Sequence, residues 1–562
     1  MCGQAPEPDV MAHKSKNSNA PDESRNFRKT VCIVGAGVAG LVSAKVLKHD
    51  GFDVTVLDKE STIGGVWAKS RAYPGLRSNN PRETYSFSDF RYPESADDFP
   101  TAGQILSYLQ SYKEHFGLDP HIQLETEVVS VARREVSRET SHETSHGASR
   151  ELSREISHGA RREVNREASY GDRHEVSREA RRGAGSDSRQ SGYRVTVRPV
   201  DDPAKSETLE FDHVVICNGV FSEPKIPEIE GLDRFGGEVV HSSQFTNKDM
   251  VRDKRVVVVG AGKSALDCVA FAAQHAASAT LVFRKPHWMI PRYFGNKRVD
   301  YLLFNRFSEQ IFPVYHNASK TKRIVRKIAS PLFWLWRKAV NRIIVWQSTI
   351  PPTMEPALSV ISGIENNGIG TEFYDILQKG LADTRRACIA SVPDKNRLEL
   401  DSGEQLEADV VIFATGWRQK IDFLEPDLKK KIQHNGWFQL YRHILPPEER
   451  DLAFIGYASS GNAPLTSEIS AHWLSRVFRG ELQLPDARKM EREIDKVRRW
   501  TQKVFPRRSQ GYFIGAYISN YIDELMNDMG LQTRRKDNFI SEYFEPFWAE
   551  RYEKVKDERS HQ

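Results

Sequence analysis

The sequence has 562 residues, more than one hydrophobic core usually organises, so at least two domains are expected. Its net charge of +5 is small for this length, which excludes the concentrated basic face of a nucleic-acid binder. None of the five cysteines forms a C-x-x-C pair, which argues against a dithiol redox centre and favours free thiols in a reducing, cytoplasmic compartment.

The first 29 residues are polar and rich in Pro, Ser and Asn, which predicts a disordered arm. They contain no apolar segment typical of a secretory signal. No run of about 18 uncharged apolar residues follows in the chain, so the sequence predicts no membrane-spanning helix.

A strand–loop–helix–strand unit follows the arm. The apolar strand Thr30–Val34 runs into the loop Gly35-Ala36-Gly37-Val38-Ala39-Gly40, a helix continues to His49, and a second strand ends at Asp58. A G-x-G-x-x-G loop in this position binds a dinucleotide, because its glycines admit a tight turn, close approach of the pyrophosphate and close packing of helix on strand. The acid at the end of the second strand is expected to bind the hydroxyl pair of a ribose.

Two adjacent amides lie in the next segment, which reads Ser78-Asn79-Asn80-Pro81. Asn79 and Asn80 could hydrogen-bond the ring system of a bound flavin or nicotinamide. They could equally form an Asx turn before Pro81, and the pattern alone leaves both interpretations open.

A low-complexity insert occupies residues 133–190, between two segments that alternate like strands, 123–131 and 192–198. It repeats a four-residue unit: Ser, then Arg or His, then Glu or Gly, then an apolar residue. Such a stripe drifts by about 40° per unit around a helix and forms no single buried face, so the insert is interpreted as an expanded hairpin loop. His142 and His146 have the spacing of metal ligands, but they belong to recurring units and no metal site is predicted.

A second unit of the same kind begins after the stretch 235–245, which reads F-x-G-x-x-x-H-x-x-x-F. The strand Arg255–Val259 leads into the loop Gly260-Ala261-Gly262-Lys263-Ser264-Ala265, and after a helix the next strand ends in Arg284-Lys285. An acid at this position, as in the first unit, suits a free ribose diol, whereas an arginine suits a 2′-phosphate through charge and forked hydrogen bonds. The first loop is therefore predicted to bind FAD and the second NADPH.

Four later segments complete the pattern. Residues 293–350 are basic and aromatic, which predicts either peripheral membrane contact through 320–350 or a helical insert that packs on its own domain or walls the substrate cavity. The apolar strand before Gly416 is predicted to return the chain to the first domain. Residues 451–456 are predicted to form a strand that ends near the flavin, and residues 485–555 to be helical.

In this order the motifs resemble those of class B flavin-containing monooxygenases, the dimethylaniline monooxygenase-like family, and look closest to its fungal members that tailor natural products. The resemblance rests on both glycine loops, the stretch 235–245, and the motifs IGGVW at 63–67, SNNPRE at 78–83, FATGW at 413–417 and YIDEL at 521–525. It implies an α/β fold of two Rossmann-like dinucleotide-binding domains, with the NADPH domain inserted into the FAD domain. The implied domains are 30–225 and 409–562 for FAD, the latter with C-terminal helices, and 226–408 for NADPH.

The resemblance also implies contacts for both cofactors. Asn79 would be the catalytic residue, because it matches the family asparagine that supports the oxygenated flavin. The residues expected to bind FAD are Gly35, Ala36, Gly37, Val38, Ala39, Gly40, Asp58, Val66, Trp67, Asn79 and Asn80. The residues expected to bind NADPH are Ser78, Asn79, Gly260, Gly262, Ser264, Ala265, Leu266, Asp267, Arg284 and Lys285.

The activity implied by the resemblance is monooxygenation. NADPH reduces FAD, O2 adds to flavin C4a, and the hydroperoxide gives one oxygen atom to the nitrogen or sulfur of a small molecule, with an alkaloid-like secondary metabolite expected. Two alternatives stay open. One is Baeyer–Villiger oxygenation of a ketone, although those enzymes usually carry Trp where this chain has Phe245. The other is an NADPH-dependent flavoprotein reductase or oxidase without oxygenation.

Two details qualify the resemblance. His241, in the stretch 235–245, is expected to serve in a linker that positions the cofactors rather than as a catalytic base. Ser470 and His472 stand where the family more often has Gln and Arg, in an element that lies near the flavin or its pocket. These departures bear on the identity of the substrate.

Overall fold

The computed structural model describes residues 28–134, 192–348, 350–360, 362, 367–506, 514–515 and 517–560. Most of the predicted arm and most of the insert predicted at 133–190 lie outside the described residues. The same holds for His142 and His146.

The described elements include both strands and helices. Up to residue 224 they are β1 (Thr30–Val34), α1 (Val38–His49), β2 (Asp53–Leu57), α2 (Ala102–His115), β3 (Ile122–Gln123), β4 (Thr126–Arg133), β5 (Tyr193–Pro199), β6 (Glu207–Phe211), β7 (His213–Ile216) and β8 (Glu223–Pro224). From 238 to 413 they are β9 (Glu238–His241), β10 (Arg255–Val259), α3 (Lys263–Ala272), β11 (Ser278–Val282), β12 (Met289–Ile290), β13 (Tyr293–Phe294), β14 (Lys297–Arg298), α4 (Asp300–Leu303), α5 (Lys320–Ile328), α6 (Ser330–Gln347), β15 (Gly368–Ile369), α7 (Glu372–Gln378), β16 (Asp383–Arg385), β17 (Ile389–Asp394), β18 (Arg397–Leu400), β19 (Gln405–Glu407) and β20 (Val410–Phe413). From 417 onwards they are β21 (Trp417–Arg418), α8 (Pro426–Ile432), β22 (Gln433–His434), β23 (Trp437–Phe438), β24 (Leu452–Phe454), α9 (Ala463–Phe478), α10 (Ala487–Val504), α11 (Ile518–Asp528), α12 (Phe539–Phe544) and α13 (Val555–Ser560).

The first sheet is parallel throughout and has the strand order β24-β7-β1-β2-β3. Its central strand is apolar along most of its length, and Val31, Cys32 and Ile33 are fully buried. Such continuous burial is typical of a parallel strand that is covered on both faces. β24 joins this sheet beside β7, although a complete second sheet lies between the two strands in sequence.

The second sheet is also parallel and has the order β16-β11-β10-β20-β9. All its strands lie between residues 238 and 413, which places them between β7 and β24 of the first sheet. The predicted fold class is therefore confirmed: the chain is α/β and contains two Rossmann-like units, of which the second is inserted into the first.

One prediction about the second sheet is wrong. The strand Val410–Phe413 does not return the chain to the first domain but pairs with β10 and β9. All four of its residues are apolar and buried, so the strand requires neighbours on both sides and cover on both faces, which the second sheet supplies. The second unit thus extends beyond the predicted boundary at 408, and the return begins at β21.

The two units repeat one topology. In each, a strand–glycine loop–helix–strand element forms the centre of the sheet, a three-stranded antiparallel meander follows, and a last parallel strand pairs beside the first. An aspartate precedes this last strand in both units. Asp212 accepts the backbone N–H of Thr30 over 2.8 Å, and Asp409 accepts that of Arg255 over 2.8 Å. β7 and β20 are therefore equivalent strands.

The stretch 235–245 belongs to the second unit. Its middle forms the edge strand β9, with Phe235 in the core on one face of the sheet and Phe245 in the core on the other. A Cβ on Gly237 would overlap the carbonyl oxygen of Asp409, so the glycine permits close approach to the strand beside it. The crossing between the units lies instead at the antiparallel pair of β8 with β21.

Residues 293–350 contain the helices α5 and α6. Val340 and Ile344 of α6 are fully buried in a third core that also contains Phe99, Trp288 and Tyr517. The prediction of a helical insert that packs on the body of the protein is therefore confirmed for this side of α6. No helix of the described residues is long and apolar enough to span a membrane.

Two further predictions concern the last part of the chain. Residues 485–555 are largely helical in their described part, where α10, α11 and α12 lie. The predicted strand at 451–456 is β24, and its end meets the first glycine loop, because a Cβ on Gly456 would lie 3.1 Å from the Cβ of Ala39. Both predictions of secondary structure are confirmed.

The hairpin of β4 and β5 generates a prediction about the insert. The N–H of Arg134 donates to the carbonyl oxygen of Gly192 over 2.9 Å, so the chain leaves and re-enters the meander at neighbouring positions. Deleting residues 137–184 should therefore leave Tm unchanged, or raise the free energy of unfolding by about 1–2 kcal/mol, because a shorter loop loses less entropy on closure. Scanning calorimetry of the two proteins measures the difference.

The second unit supplies the matched control, since only Lys395 and Asn396 join the equivalent strands β17 and β18. Their carbonyl oxygens accept the N–H groups of Gly236 and Ala408. Deleting these two residues should lower Tm, and a comparable decrease after deletion of 137–184 would contradict the prediction.

Candidate functional site

The first glycine loop joins the end of β1 to the start of α1. Gly35 has a φ of +111°, which other residues rarely adopt, and a Cβ on it would lie 2.6 Å from the carbonyl oxygen of Cys217. A Cβ on Gly40 would overlap the carbonyl oxygen of Gly35, so only glycine allows α1 to pack this closely on β1. The two glycines fix the N-terminus of α1 against the sheet.

Backbone from two loops forms a cradle at this N-terminus. The N–H of Gly64, in the IGGVW motif, donates to the carbonyl oxygen of Ala36 over 3.0 Å. A Cβ on Gly37 would lie only 3.7 Å from the Cα of Gly65, so the gap between the loops is lined by backbone. α1 begins at Gly37 without a side-chain cap. An uncapped helix N-terminus in a cradle free of side chains fits the diphosphate of a dinucleotide.

Asp58, the predicted ribose ligand, lies at the end of β2 beside this cradle. Its carboxylate accepts the backbone N–H of Ala36 over 2.7 Å and that of Glu60 over 2.9 Å. Burial raises the pKa of Asp58, and these two N–H bonds act in the opposite direction. Each carboxylate oxygen has a further lone pair, so Asp58 can hold the loop and still accept bonds from a ribose diol.

The two amides after Ser78 differ in exposure. Asn79 is exposed, whereas Asn80 is 3% exposed and its Nδ2 has no hydrogen-bond partner among the described residues. The backbone N–H of Asn80 donates to the Oγ of Ser78 over 3.0 Å, so a serine turn holds the segment. A buried amide without a partner costs roughly 1–3 kcal/mol, and a cofactor with a carbonyl acceptor would remove this cost.

Two more predicted FAD contacts lie in the short helical turn Gly65–Trp67. Val66 packs against the main core of the first unit, and Trp67 is buried with its indole N–H donating to the hydroxyl of Tyr85 over 3.0 Å. Both residues directly follow the cradle, so the FAD predictions made for 35–40, 58 and 66–67 fall in one place. The roles of these residues in binding stay predictions.

The second glycine loop is built like the first, except that its last position carries the side chain of an alanine. Gly260 has a φ of +144°, and a Cβ on it would lie 2.5 Å from the carbonyl oxygen of Ala414. Ala265 stands at the position equivalent to Gly40. The N-cap residue of α3 is Gly262, so this helix also has no side-chain cap. The side chains of Ala265 and Leu266 are buried, so these residues can meet a cofactor only through their backbone. The predicted contact of Ser264 also falls in the first turn of α3.

Arg284 and Lys285 follow β11 at the carboxyl edge of the second sheet, and both side chains are exposed. Other arginines of this sheet are paired: Arg255 with Asp409 over 2.7 Å and Arg385 with Glu404 over 2.7 Å. In the part of the chain that the structure describes, neither Arg284 nor Lys285 has such a carboxylate partner. Two cations beside an uncapped helix N-terminus fit a phosphate group.

A charged pair that the sequence analysis did not assign lies in the second loop. Lys263, the first residue of α3, is largely buried and pairs with Asp267, whose other oxygen accepts the hydroxyl of Tyr73 over 3.0 Å. Burial lowers the pKa of Lys263, and the carboxylate of Asp267 acts in the opposite direction. Tyr73 follows the first glycine loop in sequence, so this contact joins the two units. The i,i+4 spacing of Lys263 and Asp267 is the sequence signal from which this ion pair could have been predicted.

His241 is fully buried at the end of β9. Its Nε2 lies 3.1 Å from the carbonyl oxygen of Gly416, and its Nδ1 lies 3.0 Å from the Oγ of Ser243. Its ring meets the ring of Trp417 edge-on at 4.8 Å, and burial lowers the pKa of His241. His241 thus ties β9 to the FATGW motif within the second unit, and its role in positioning the cofactors stays a prediction.

Arg71, which follows the first glycine loop in sequence, also contacts Trp417. Its guanidinium lies 5.1 Å from the ring centre of Trp417 and donates to the carbonyl oxygen of Phe221 over 2.7 Å. Phe221 and Trp417 belong to the two chain segments that cross between the units. Arg71 therefore contacts both crossings at once, a role that the sequence did not signal.

A cavity of about 670 Å³ lies between the segment of the two amides and the second unit. Arg77 lines it one residue before Ser78, and Arg292 lines it close to Lys263 of α3. The lining residues carry four carboxylates and two guanidinium groups, and one comes from α6, so the insert walls part of this cavity. They are Arg77, Asp97, Asp98, Phe99, Pro291, Arg292, Tyr293, Gln347, Thr371, Glu372 and Asp375.

Ser470 and His472, which depart from the family pattern, lie inside α9 and are buried. The Oγ of Ser470 donates to the carbonyl oxygen of Thr466 over 2.7 Å and lies 2.9 Å from the hydroxyl of Tyr521, in the YIDEL motif. Burial lowers the pKa of His472 well below its usual value. Neither residue lines the cavity. The hydroxyl of Ser470 is bonded within the packing of α9, whereas the buried Nδ1 of His472 has no hydrogen-bond partner among the described residues.

Comparisons with known proteins agree with this geometry. Residues 29–325, just over half of the chain, match the family described as pyridine nucleotide-disulphide oxidoreductase, and residues 382–542 match the family described as flavin-binding monooxygenase-like. The chain is 26% identical over 557 residues to a probable flavin-containing monooxygenase 1 of Arabidopsis thaliana, covering 94% of this chain and 97% of the relative. It is 26% identical over 495 residues to monooxygenase aurF of Gibberella zeae, covering 84% and 81%.

Solved structures share the fold. A cyclohexanone monooxygenase from Rhodococcus sp. Phi1 bound to NADP+ has a TM-score of 0.60 at 17% identity, covering 90% of this chain and 98% of that one. An S-allyl-L-cysteine S-oxygenase from Allium sativum has a TM-score of 0.53 at 19% identity, covering 95% and 94%. The chain belongs to the pyridine nucleotide-disulphide oxidoreductase family and, as its second family match and its relatives establish, is a flavin-dependent monooxygenase that uses FAD and NADPH.

Proposed function

We propose that the enzyme oxygenates the nitrogen, or the sulfur, of a small alkaloid-like metabolite. The excess of carboxylates around the 670 Å³ cavity carries this proposal, because it raises the local concentration of cations and an amine is a cation at neutral pH. The ammonium gives its proton to a cavity carboxylate or to water, and the free nitrogen lone pair then takes the oxygen atom. A ketone is uncharged and gains nothing from these carboxylates. A thioether that bears an amino group would be attracted in the same way.

The residues of the chain hold and orient the reactants. The backbone of 35–40 and of Gly64 and Gly65 would bind the diphosphate of FAD, and Asp58 its ribose. Arg284 and Lys285 would bind the 2′-phosphate of NADPH. When bound, the reduced flavin supplies the activation of O2. We place this activity in the cytoplasm, since the four cysteines of the described residues are free and three are buried.

Phe245 bears on the Baeyer–Villiger alternative only indirectly. This side chain is fully buried, 5.9 Å from the ring of Phe271, and does not line the cavity. Its identity can therefore influence the reaction only through packing of the second unit. The negative charge of the cavity attracts cationic amines and leaves uncharged ketones unaffected. It therefore supports nitrogen as the atom that accepts oxygen.

Product analysis with labelled O2 tests the proposal on matched panels of amines, thioethers and ketones. We expect one labelled oxygen atom on nitrogen or sulfur, and a rise of a few fold in KM for a cationic amine in Asp375→Asn, because one attracting charge is lost. A neutral thioether of similar size should show no such rise. Conversion of ketones to esters with amines untouched would overturn the proposal, and release of peroxide alone from every substrate would favour an oxidase.

Asn79 is predicted to keep NADPH consumption coupled to oxygenation. Its side chain is exposed and has no packing role, so Asn79→Ala should retain FAD and Tm. The H2O2 released per NADPH oxidised should increase about tenfold or more, because one donor near the reacting oxygen is worth roughly 1.5–3 kcal/mol. Asn80→Ala is the matched control. It alters a buried amide, and should change FAD retention more than coupling. An unchanged H2O2 yield in Asn79→Ala would count against a catalytic role.

Arg284 is predicted to select NADPH over NADH. Arg284→Ala should raise KM for NADPH by roughly tenfold to a hundredfold, because charge-assisted bonds to the 2′-phosphate are lost, and leave KM for NADH nearly constant. Arg284→Lys keeps the charge without the fork and should lie between the two. Steady-state kinetics with both nucleotides measure this. An equal rise for NADH would show that Arg284 acts on the fold or on the shared part of the nucleotide.

A further inference from the structure

The segment between Glu309 and Glu355 contains basic residues and no acidic ones. Residues 310–354 contain no Asp or Glu and eight Lys or Arg. The eight are Lys320, Lys322, Arg323, Arg326, Lys327, Arg337, Lys338 and Arg342. Where these side chains are bonded in the described part of the chain, they bond to neutral oxygens, as Lys322 does to Asn520 over 3.1 Å and Arg337 to Ser362 over 2.9 Å. Among the described residues, no carboxylate therefore neutralises their positive charge.

The helix α6 presents an apolar stripe to solvent. Leu332, Leu335, Ile343 and Trp346 are 60%, 58%, 40% and 82% exposed. At about 100° per residue these four positions span about 80° of the helix circumference. The inward stripe of Val340 and Ile344, already described, lies on a different side. α6 thus has two apolar stripes, and the core covers only one of them.

Two neighbouring helices extend this stripe. Ile324, Val325 and Ile328 of α5 are 60%, 59% and 76% exposed, and Phe539, Ile540 and Phe544 of α12 are 62%, 70% and 47% exposed. α12 adjoins α6 through Phe307, whose ring lies 4.7 Å from that of Phe544 and 5.5 Å from that of Trp336. We call the solvent-facing sides of α5, α6 and α12 the outer surface.

The outer surface is unusual in the number of large hydrophobic side chains that it exposes. Nineteen large hydrophobic side chains are exposed among the described residues, and twelve of them belong to these three helices. Scattered exposed apolar side chains are ordinary, but a contiguous patch marks a site of interaction. The remaining question is which partner combines an apolar interior with a negative rim.

We propose that the outer surface docks on the interface of an anionic lipid bilayer. Helices that lie in this interface carry an apolar side and a Lys- and Arg-rich polar side, the composition of α5 and α6. Lipid headgroups of negative charge would neutralise the eight cations, and the indole of Trp346 suits the boundary between headgroup and acyl chain. A second copy of the chain fits worse, because two such surfaces would bring like charges together.

The test uses the full-length, FAD-loaded enzyme and vesicle flotation. Phosphatidylcholine vesicles with and without phosphatidylserine are compared at low and high salt. We expect binding to the anionic vesicles only, weakened by salt. Leu335→Ser/Trp346→Ser should reduce the partition coefficient on anionic vesicles about tenfold or more, because two exposed apolar side chains no longer enter the interface. The matched control Val200→Ser/Leu381→Ser alters exposed apolar residues elsewhere and should bind as the wild type does.

A second variant keeps the test independent of the apolar changes. Lys338→Glu/Arg342→Glu should lose binding to anionic vesicles with FAD content and Tm retained. Equal flotation of the wild type and both variants would overturn the proposal, as would equal binding to neutral vesicles. A concentration-dependent dimer that Leu335→Ser/Trp346→Ser abolishes would also overturn it, because a second copy would then cover the outer surface. None of these outcomes depends on which substrate the enzyme oxygenates.

Discussion

The close approach of backbone to backbone at two glycine loops is the constraint on which both cofactor sites depend. In the first unit Gly40 rests on the carbonyl of Gly35, and in the second Gly260 rests against that of Ala414. Each contact sets an uncapped helix N-terminus at the carboxyl edge of a parallel sheet, where diphosphates bind. The first loop packs too tightly for any side chain at its last position, whereas the second accepts Ala265. Both units therefore use a glycine loop to place the helix N-terminus, but the helix packs closer to the strand in the first unit than in the second.

The two sites serve one reaction only if the units keep a defined relation to each other. Two contacts next to the glycine loops provide it: Tyr73 with Asp267, and Arg71 with Trp417. Each joins a residue near one loop or crossing to a residue of the other segment. Because a shift of about 1 Å between reactants can cost a large factor in rate, such contacts matter although they touch no substrate. These contacts therefore position the two units relative to each other.

The sequence predicted the elements that depend on local chemistry. Both glycine loops, the acid at Asp58 and the basic pair after β11 follow from rules about turns, helix ends and phosphates. It did not predict which sheet receives Val410–Phe413, because an apolar run indicates a buried strand without naming its neighbours. The repeated Asp before β7 and β20 was the signal that could have corrected this. Burial of the Asn80 amide and the contact of Tyr73 with Asp267 arise from tertiary packing, which no local pattern encodes.

The protonation of His241 follows from its neighbours. The carbonyl oxygen of Gly416 can only accept, so the Nε2 beside it carries the proton. The backbone N–H of Ser243 can only donate, and it lies 3.2 Å from Nδ1, so that nitrogen carries the lone pair. The imidazole is thus neutral, in agreement with the lowered pKa that burial gives it, and its lone pair is already engaged. A general base needs a lone pair free to take a substrate proton, so this geometry favours the linker role over catalysis.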